Sequence, residues 1–184
     1  AAASSHRSYR PITEPDPARI QEAVRLLRGA KRPIVYSGGG VINAGPDASA
    51  LLTEFVRRTN MPCTSTLMGL GAFPASDPQF LGMLGMHGTF EANMAMHGCD
   101  AMLNIGARFD DRVTGRLDAF SPDSRKIHAD IDPSSINKNV AVDVPLVGDA
   151  ASVLRSLLAA WDAAPAAQDT AAPAAPAPAA ESPQ

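Results

Sequence analysis

The sequence predicts an α/β domain built on a parallel sheet with helices on both faces. Three observations carry that prediction. Short apolar runs of strand length alternate with longer segments of helical periodicity from residue 16 onward. The apolar runs are nearly continuous, as strands buried on both sides require. Glycine-rich and charged segments fall directly after those runs, where a parallel sheet presents its carboxyl ends to ligands.

Each element has its own local reason. Asp16 offers a capping carboxylate and Pro17 suits the first helical position, with Ile20, Val24 and Leu27 at helical spacing until Gly29. Pro33–Ser37 reads as a buried strand, and Gly38-Gly39-Gly40 as the turn that leaves it. A helix is predicted over 47–60 with the stripe Leu51, Leu52, Phe55 and Val56, followed by a strand at 63–66. The glycine-rich stretch 67–88 interrupts the alternation. A helix at 90–98, strands at 101–106, 126–131 and 144–147, and a helix at 149–161 complete the pattern.

The last 22 of the 184 residues contain eleven Ala and five Pro, so 163–184 is expected to be a disordered tail. Residues 1–15 read as a linker, leaving one domain over 16–162. A net charge of −3 argues against a nucleic-acid or anionic-membrane partner, and no apolar run reaches the ~20 residues of a membrane span. Cys63 and Cys99 form no Cys-x-x-Cys pair and are expected as small buried hydrophobes in a reducing, cytoplasmic setting. With only His6, His87, His97 and His128 besides, no metal-ligand spacing is present. The missing initiator Met and the linker-like Ala/Pro tail read as incompleteness, and the start, without a signal-peptide core, gives no evidence of export.

Four segments directly after strands carry unusual chemistry: Gly38-Gly39-Gly40, Thr66-Leu67-Met68-Gly69, Gly106–Gly115 and Asp130-Ile131-Asp132-Pro133. The glycines at 38–40 could expose amide hydrogens to a phosphate, or could simply make a tight turn. The dinucleotide fingerprint Gly-x-Gly-x-x-Gly fails at Asn43, and 63–66 ends without an acidic residue, so ordinary NAD binding is disfavoured. In Gly106–Gly115, Arg108 and Arg112 offer forked donors to a phosphate or carboxylate, with Asp110 or Asp111 to orient them or bind a hydroxyl. The bland alternative is a solvated helix face with local ion pairs; the position after a strand favours a ligand. All seven Met lie between Met61 and Met102: Met94, Met96 and Met102 are expected in the core. Met68, Met83 and Met86, set among glycines, suit a flat aromatic ligand that His87 could hydrogen-bond.

Several strings together resemble one family. They are Tyr36-Ser-Gly-Gly-Gly-Val, Ser65-Thr-Leu-Met-Gly-Leu-Gly, Phe80-Leu-Gly-Met-Leu-Gly-Met-His-Gly-Thr, Gly106-Ala-Arg-Phe-Asp-Asp-Arg-Val-Thr and Ile127-His-Ala-Asp-Ile-Asp-Pro. In this order they look like the central domain of the catalytic subunit of acetohydroxyacid (acetolactate) synthase, a thiamine-diphosphate enzyme, from about Arg7 to Trp161. The resemblance implies a Rossmann-like, three-layer α/β/α fold with a six-stranded parallel sheet that binds FAD in an extended pose. By that resemblance Gly38, Gly39 and Gly40 approach the phosphate–ribose portion, while Thr66, Leu67, Met68, Leu84, Gly85, Met86 and His87 line the flavin side. Gly106, Ala107, Arg108, Asp110, Arg112 and Val113 run along the cofactor; Asp130 and Ile131 receive the adenine–ribose end, with Gly148 and Asp149 nearby. Family members often carry Glu where Asp130 stands here.

The family reaction joins pyruvate-derived hydroxyethyl-thiamine diphosphate to a second 2-keto acid, for branched-chain amino-acid synthesis, with a non-redox flavin. Arg112 and Met86 would contact the second substrate or inhibitors in an intact enzyme, which would dimerise and bind a regulatory small subunit. The thiamine-diphosphate and Mg²⁺ machinery of the flanking domains has no match in these residues, so the chain alone is expected to make no acetolactate. Two other readings stand beside this one: a stand-alone flavin or nucleotide module of electron-transfer type, and a degenerate domain that only mediates assembly.

Overall fold

A computed structural model describes residues 11–164. Most of the expected amino-terminal linker, and the expected tail from residue 165 onward, lie outside the described residues.

Helix α1 (Pro17–Gly29) begins as its sequence dictates, with the Asp16 carboxylate accepting the Ala18 N–H at 2.9 Å. Such a cap contributes about 1 kcal/mol. Strand β1 (Pro33–Ser37) follows. The three glycines do more than turn the chain, because Gly38 caps a short helix, α2 (Gly39–Asn43). Helix α3 (Pro46–Thr59) starts just before the expected position: Gly45 takes a φ of +97°, and Pro46 opens the helix. Strand β2 is Cys63–Ser65.

The glycine-rich stretch hides a strand, β3 (Phe80–Met83), each residue of which is only half-buried. Its Gly82 has a φ of +90°, and the register with β2 shifts there. Then come α4 (Phe90–Gly98), β4 (Ala101–Ile105), the one-turn helix α5 (Asp111–Thr114), β5 (Arg125–Asp130), β6 (Val144–Val147) and α6 (Ala150–Ala163). Helix α6 runs on into the first residue of the segment assigned to the tail.

Every strand pairing is parallel, in the order β3-β2-β1-β4-β5-β6. The chain builds outward from β1 to β3, crosses back, and builds outward again from β4 to β6. The reversal between β1 and β4 opens a crevice at the carboxyl ends of those strands.

The expected three layers are present, but the outer two are unequal. On one face α1, α3 and α6 bury Leu27, Leu52, Phe55 and Leu157 against Val35, Leu103, Ile127 and Leu146 of the sheet. On the other, Ile34, Tyr36 and Met102 are covered by Met96 of α4 and by Phe109 and Phe120 of an irregular segment. Cys63 and Cys99 are free and buried, as expected. Among the described residues no helix is long and apolar enough to cross a membrane.

The amino end of the sheet is tied by one side chain. The Asp100 carboxylate accepts the N–H groups of Lys31 and Arg32 at 2.7 and 2.8 Å. Its carbonyl accepts the Arg125 N–H at 2.9 Å, so β1, β4 and β5 start from one node.

Candidate functional site

The strand order sets the singled-out segments in a row. Along the carboxyl edge stand 84–87 after β3, 66–68 after β2, 38–40 after β1, 106–113 after β4, 130–131 after β5 and 148–149 after β6. Six strands give five steps of about 4.8 Å, so the edge is roughly 24 Å long.

Backbone packing joins these loops. A Cβ on Gly38 would lie 2.2 Å from the Gly106 carbonyl oxygen, and one on Gly40 would lie 2.6 Å from the Gly106 Cα. The glycines at 38 and 40 therefore let the β1 and β4 loops touch main chain to main chain, and the Gly40 N–H donates to the Gly106 carbonyl at 2.9 Å. Asn104 fixes the same turn from within β4. Its amide donates to the Ala107 carbonyl at 2.6 Å and accepts the Ala107 N–H at 3.1 Å. On the other side, a Cβ on Gly39 would meet Met68 at 3.1 Å. The Met86 N–H donates to the Arg112 carbonyl at 3.2 Å, which ties the 84–87 loop to α5.

At the β1/β4 reversal lies a cleft of about 150 Å³, lined by Gly40, Gly106, Asp130, Ile131, Gly148 and Asp149, and also by Asn43, Ala44 and Ala150. It thus gathers six of the residues singled out in the sequence. Asp130 accepts the Asp132 N–H on Oδ1 at 2.9 Å, and its Oδ2 has no hydrogen bond within the described residues. Asp149 is already engaged, because it caps α6 by accepting the Ala151 and Ser152 N–H groups at 3.0 and 3.4 Å.

The middle of the edge carries the cations. Arg108 is exposed and pairs with Asp110 at 3.0 Å, an interaction of small worth in water. The Arg112 guanidinium is exposed and has no ion pair among the described residues, leaving its fork free for an anion. Val113 is half-buried beside Gly85.

At the β2–β3 end, Leu67, Met68 and Met86 stand in solvent, Met68 at 74% and Met86 at 68%. These are apolar surfaces without a cover, and His87 is exposed beside them. Leu84 and Ala107 point the other way, into the core under α4, so only their main chain can face a ligand. Thr66 spends its hydroxyl on the Gly69 N–H at 3.0 Å. Of the methionines expected in the core, Met96 and Met102 are buried, whereas Met94 is exposed on the outer side of α4.

Two buried polar groups that belong to no motif stand behind the cleft. Tyr36 and His128 flank Asn104 in one register row across β1, β4 and β5. Both are fully buried against Phe109, with ring centroids 6.2 and 5.1 Å away. Neither the Tyr36 hydroxyl nor either His128 nitrogen has a hydrogen-bond partner among the described residues. Burial, with the Asp110 charge second, holds the Tyr36 phenol protonated far above its ordinary range. Burial likewise lowers the pKa of His128, a shift that the Asp130 charge and the Ala107 carbonyl oppose without cancelling. The available signal was a polar residue inside an otherwise apolar strand: Asn in Ala-Met-Leu-Asn-Ile, and His in Ile-His-Ala. No group of three or more His, Cys, Asp or Glu among the described residues could hold a metal.

Such an edge can seat an elongated ligand: hydroxyl donors at Asp130, anionic groups near Arg108 and Arg112, and a flat apolar part against Met68 and Met86. The sequence is similar to those of known proteins. Acetolactate synthase large subunit from Haemophilus influenzae is 53% identical over 152 residues, covering 83% of this chain and 26% of that protein. Acetolactate synthase isozyme 3 large subunit from Escherichia coli is 51% identical over 154 residues, 84% of this chain and 26% of that protein. Probable acetolactate synthase large subunit from Methanocaldococcus jannaschii is 50% identical over 153 residues, 83% of this chain and 25% of that protein. The chain thus spans about a quarter of the length of the relatives it matches. The family described as "Thiamine pyrophosphate enzyme, central domain" matches residues 20–157, most of the length of the chain, and the chain belongs to that family.

Proposed function

We propose that this chain is the FAD-binding central domain of an acetolactate synthase large subunit. The observation that carries the reading is the order of the segments along the carboxyl edge, which matches the order of chemical parts in an extended FAD. The cleft beside Asp130, Ile131, Gly148 and Asp149 takes the adenosine end. Its wall at Gly40 and Gly106 brings main chain close to the ligand, and Arg108 offers a cation to the pyrophosphate. Met68 and Met86, exposed at the far end, cover the flavin ring. FAD, once bound, serves here as a structural part of the site and carries no electron transfer.

The intact enzyme would condense two pyruvates, or pyruvate and 2-ketobutyrate, with thiamine diphosphate and Mg²⁺ held by other parts of the protein. In that setting the free fork of Arg112 binds the carboxylate of the second keto acid. Met86, whose N–H meets the Arg112 carbonyl, borders the same entrance. A homodimer, a regulatory small subunit and a cytoplasmic location belong to this proposal.

Equilibrium dialysis of the folded chain with FAD tests it. Saturable binding of FAD in preference to FMN is expected, since FMN lacks the adenosine end; folded protein that retains neither would refute the reading. A bound flavin that bleaches reversibly with a physiological electron donor would instead favour the electron-transfer alternative.

A further inference from the structure

Strand β5 carries a polar stripe where a buried strand normally carries apolar side chains. Residues two apart on a strand face the same side, so Lys126, His128 and Asp130 share the face covered by α4 and Phe109. Lys126 is fully accounted for, since its ammonium donates to the Ser121 and Ser124 carbonyls at 2.9 and 3.1 Å. Asp130 reaches the cleft. Between them, His128 is completely buried with both ring nitrogens unbonded, a costly state for a polar group.

Two polar groups bear on that ring, the Ala107 carbonyl and the free oxygen of Asp130, and the latter faces the cleft. His128 Nε2 lies 3.8 Å from Asp130 Oδ2, about 1 Å beyond a hydrogen bond. Oδ1 is held on its other side by the Asp132 N–H. A carboxylate has about four acceptor positions. Asp130 can therefore take the Asp132 and His128 donors together and still present two positions to the cleft.

We propose that His128 is a positioning residue: its Nε2–H closes onto Asp130 Oδ2 when a ligand engages that carboxylate, fixing the direction in which Asp130 accepts ligand hydroxyls. The proposal rests on the FAD reading, because a ribose diol is the part of that ligand which offers two adjacent hydroxyl donors to one carboxylate. A carboxylate held on one side swings; held on both, it meets the diol already oriented. The neutral imidazole suffices, as only one N–H is required.

The test compares FAD dissociation constants of the 184-residue chain with those of His128→Met, His128→Gln, Asp130→Ala and the double variant His128→Met/Asp130→Ala. His128→Met, similar in bulk but without a donor, is expected to weaken FAD about tenfold, at the low end of what orienting partners contribute. His128→Gln, which keeps an N–H, is expected to recover most of the loss. In the Asp130→Ala background, His128→Met should change nothing further. An equal loss with and without Asp130, or a His128→Gln variant as weak as His128→Met, would overturn the proposal and leave His128 as packing alone. A second readout needs neither mutation at 128 nor activity. The ¹⁵N resonance of His128 Nε2, recorded without and with FAD, should move toward a hydrogen-bonded donor on binding and fail to move in Asp130→Ala. If the wild-type chain binds no FAD, the functional reading falls; adenosine at millimolar concentration then serves as the diol probe, and an unmoved resonance sinks the positioning role separately.

Discussion

Replacing Gly38 by Ala tests whether the two central loops are truly keyed together by main chain. Gly38 has an extended backbone, φ −121° and ψ −176°, which any residue adopts, so strain is not the issue. The new methyl would sit 2.2 Å from the Gly106 oxygen, 2.4 Å from the Ala107 Cα and 2.6 Å from the Ala107 Cβ. Ordinary carbon contacts need about 3.5–4.0 Å, so one backbone must retreat by more than about 1 Å. The Gly106 loop is held by its N–H to the Ala129 carbonyl at 2.8 Å and by the Gly40 N–H at 2.9 Å. Overpacking of this kind costs about 1–3 kcal/mol, and losing one of those hydrogen bonds adds about 1 kcal/mol. A total near 3 kcal/mol corresponds to a fall of about 6–12 °C in Tm for a domain of this size. Urea denaturation of Gly38→Ala beside Gly98→Ala isolates the effect, because nothing lies within 4 Å of a Cβ on Gly98. Gly98→Ala should be neutral or stabilising by about 0.4–1 kcal/mol, through the unfolded chain. A Gly38→Ala variant within about 0.5 kcal/mol of wild type would refute the keyed-loop reasoning.

Arg108→Ala should weaken FAD binding by roughly tenfold to a hundredfold, and Arg116→Ala by much less, since only Arg108 closely follows β4; equal dissociation constants would refute the ranking. Asp149→Ala should lose about 1 kcal/mol of stability with its α6 cap, and Asp149→Ser should restore most of it, as read from denaturation midpoints. Burial pushes the Cys63 thiol from 9.0 up to about 12. The folded state therefore keeps a proton that the unfolded chain releases, and stability present below pH 9 declines between pH 9 and 12. The slope is about 1.4 kcal/mol per pH unit for this group, and a Cys63→Ala variant with an undiminished alkaline slope would contradict the assignment.

What could be read in advance was whatever depended on local pattern. Asp16-Pro17 announced α1, and the runs at 33–37 and 101–105 announced strands buried on both sides. Strand β3 was illegible because it lies at the edge, half-buried throughout, with Gly82 at positive φ breaking any alternation. Helix α2 was illegible because consecutive glycines are poor helix formers, and tertiary contact with Gly106 decides their conformation. In the candidate site, position after the strands picked out loops that the fold sets along one edge, but not the direction of each side chain. Leu84 and Ala107 turned inward, and Met94 turned out. Asn104 and His128 were silent because their meaning lies in a register row across three strands, which no single segment contains.

The Asp100 node at the amino end has a kinetic consequence. With β1, β4 and β5 fastened at one end by a single carboxylate and carbonyl, local opening must start from the free, loop-bearing end and travel down. Hydrogen–deuterium exchange of the Lys31, Arg32 and Arg125 amides should therefore be slower than that of amides near Gly40 and Met86, which exchange through small excursions. The domain would breathe from its carboxyl rim, the side on which it would receive a ligand, and stay shut at its base.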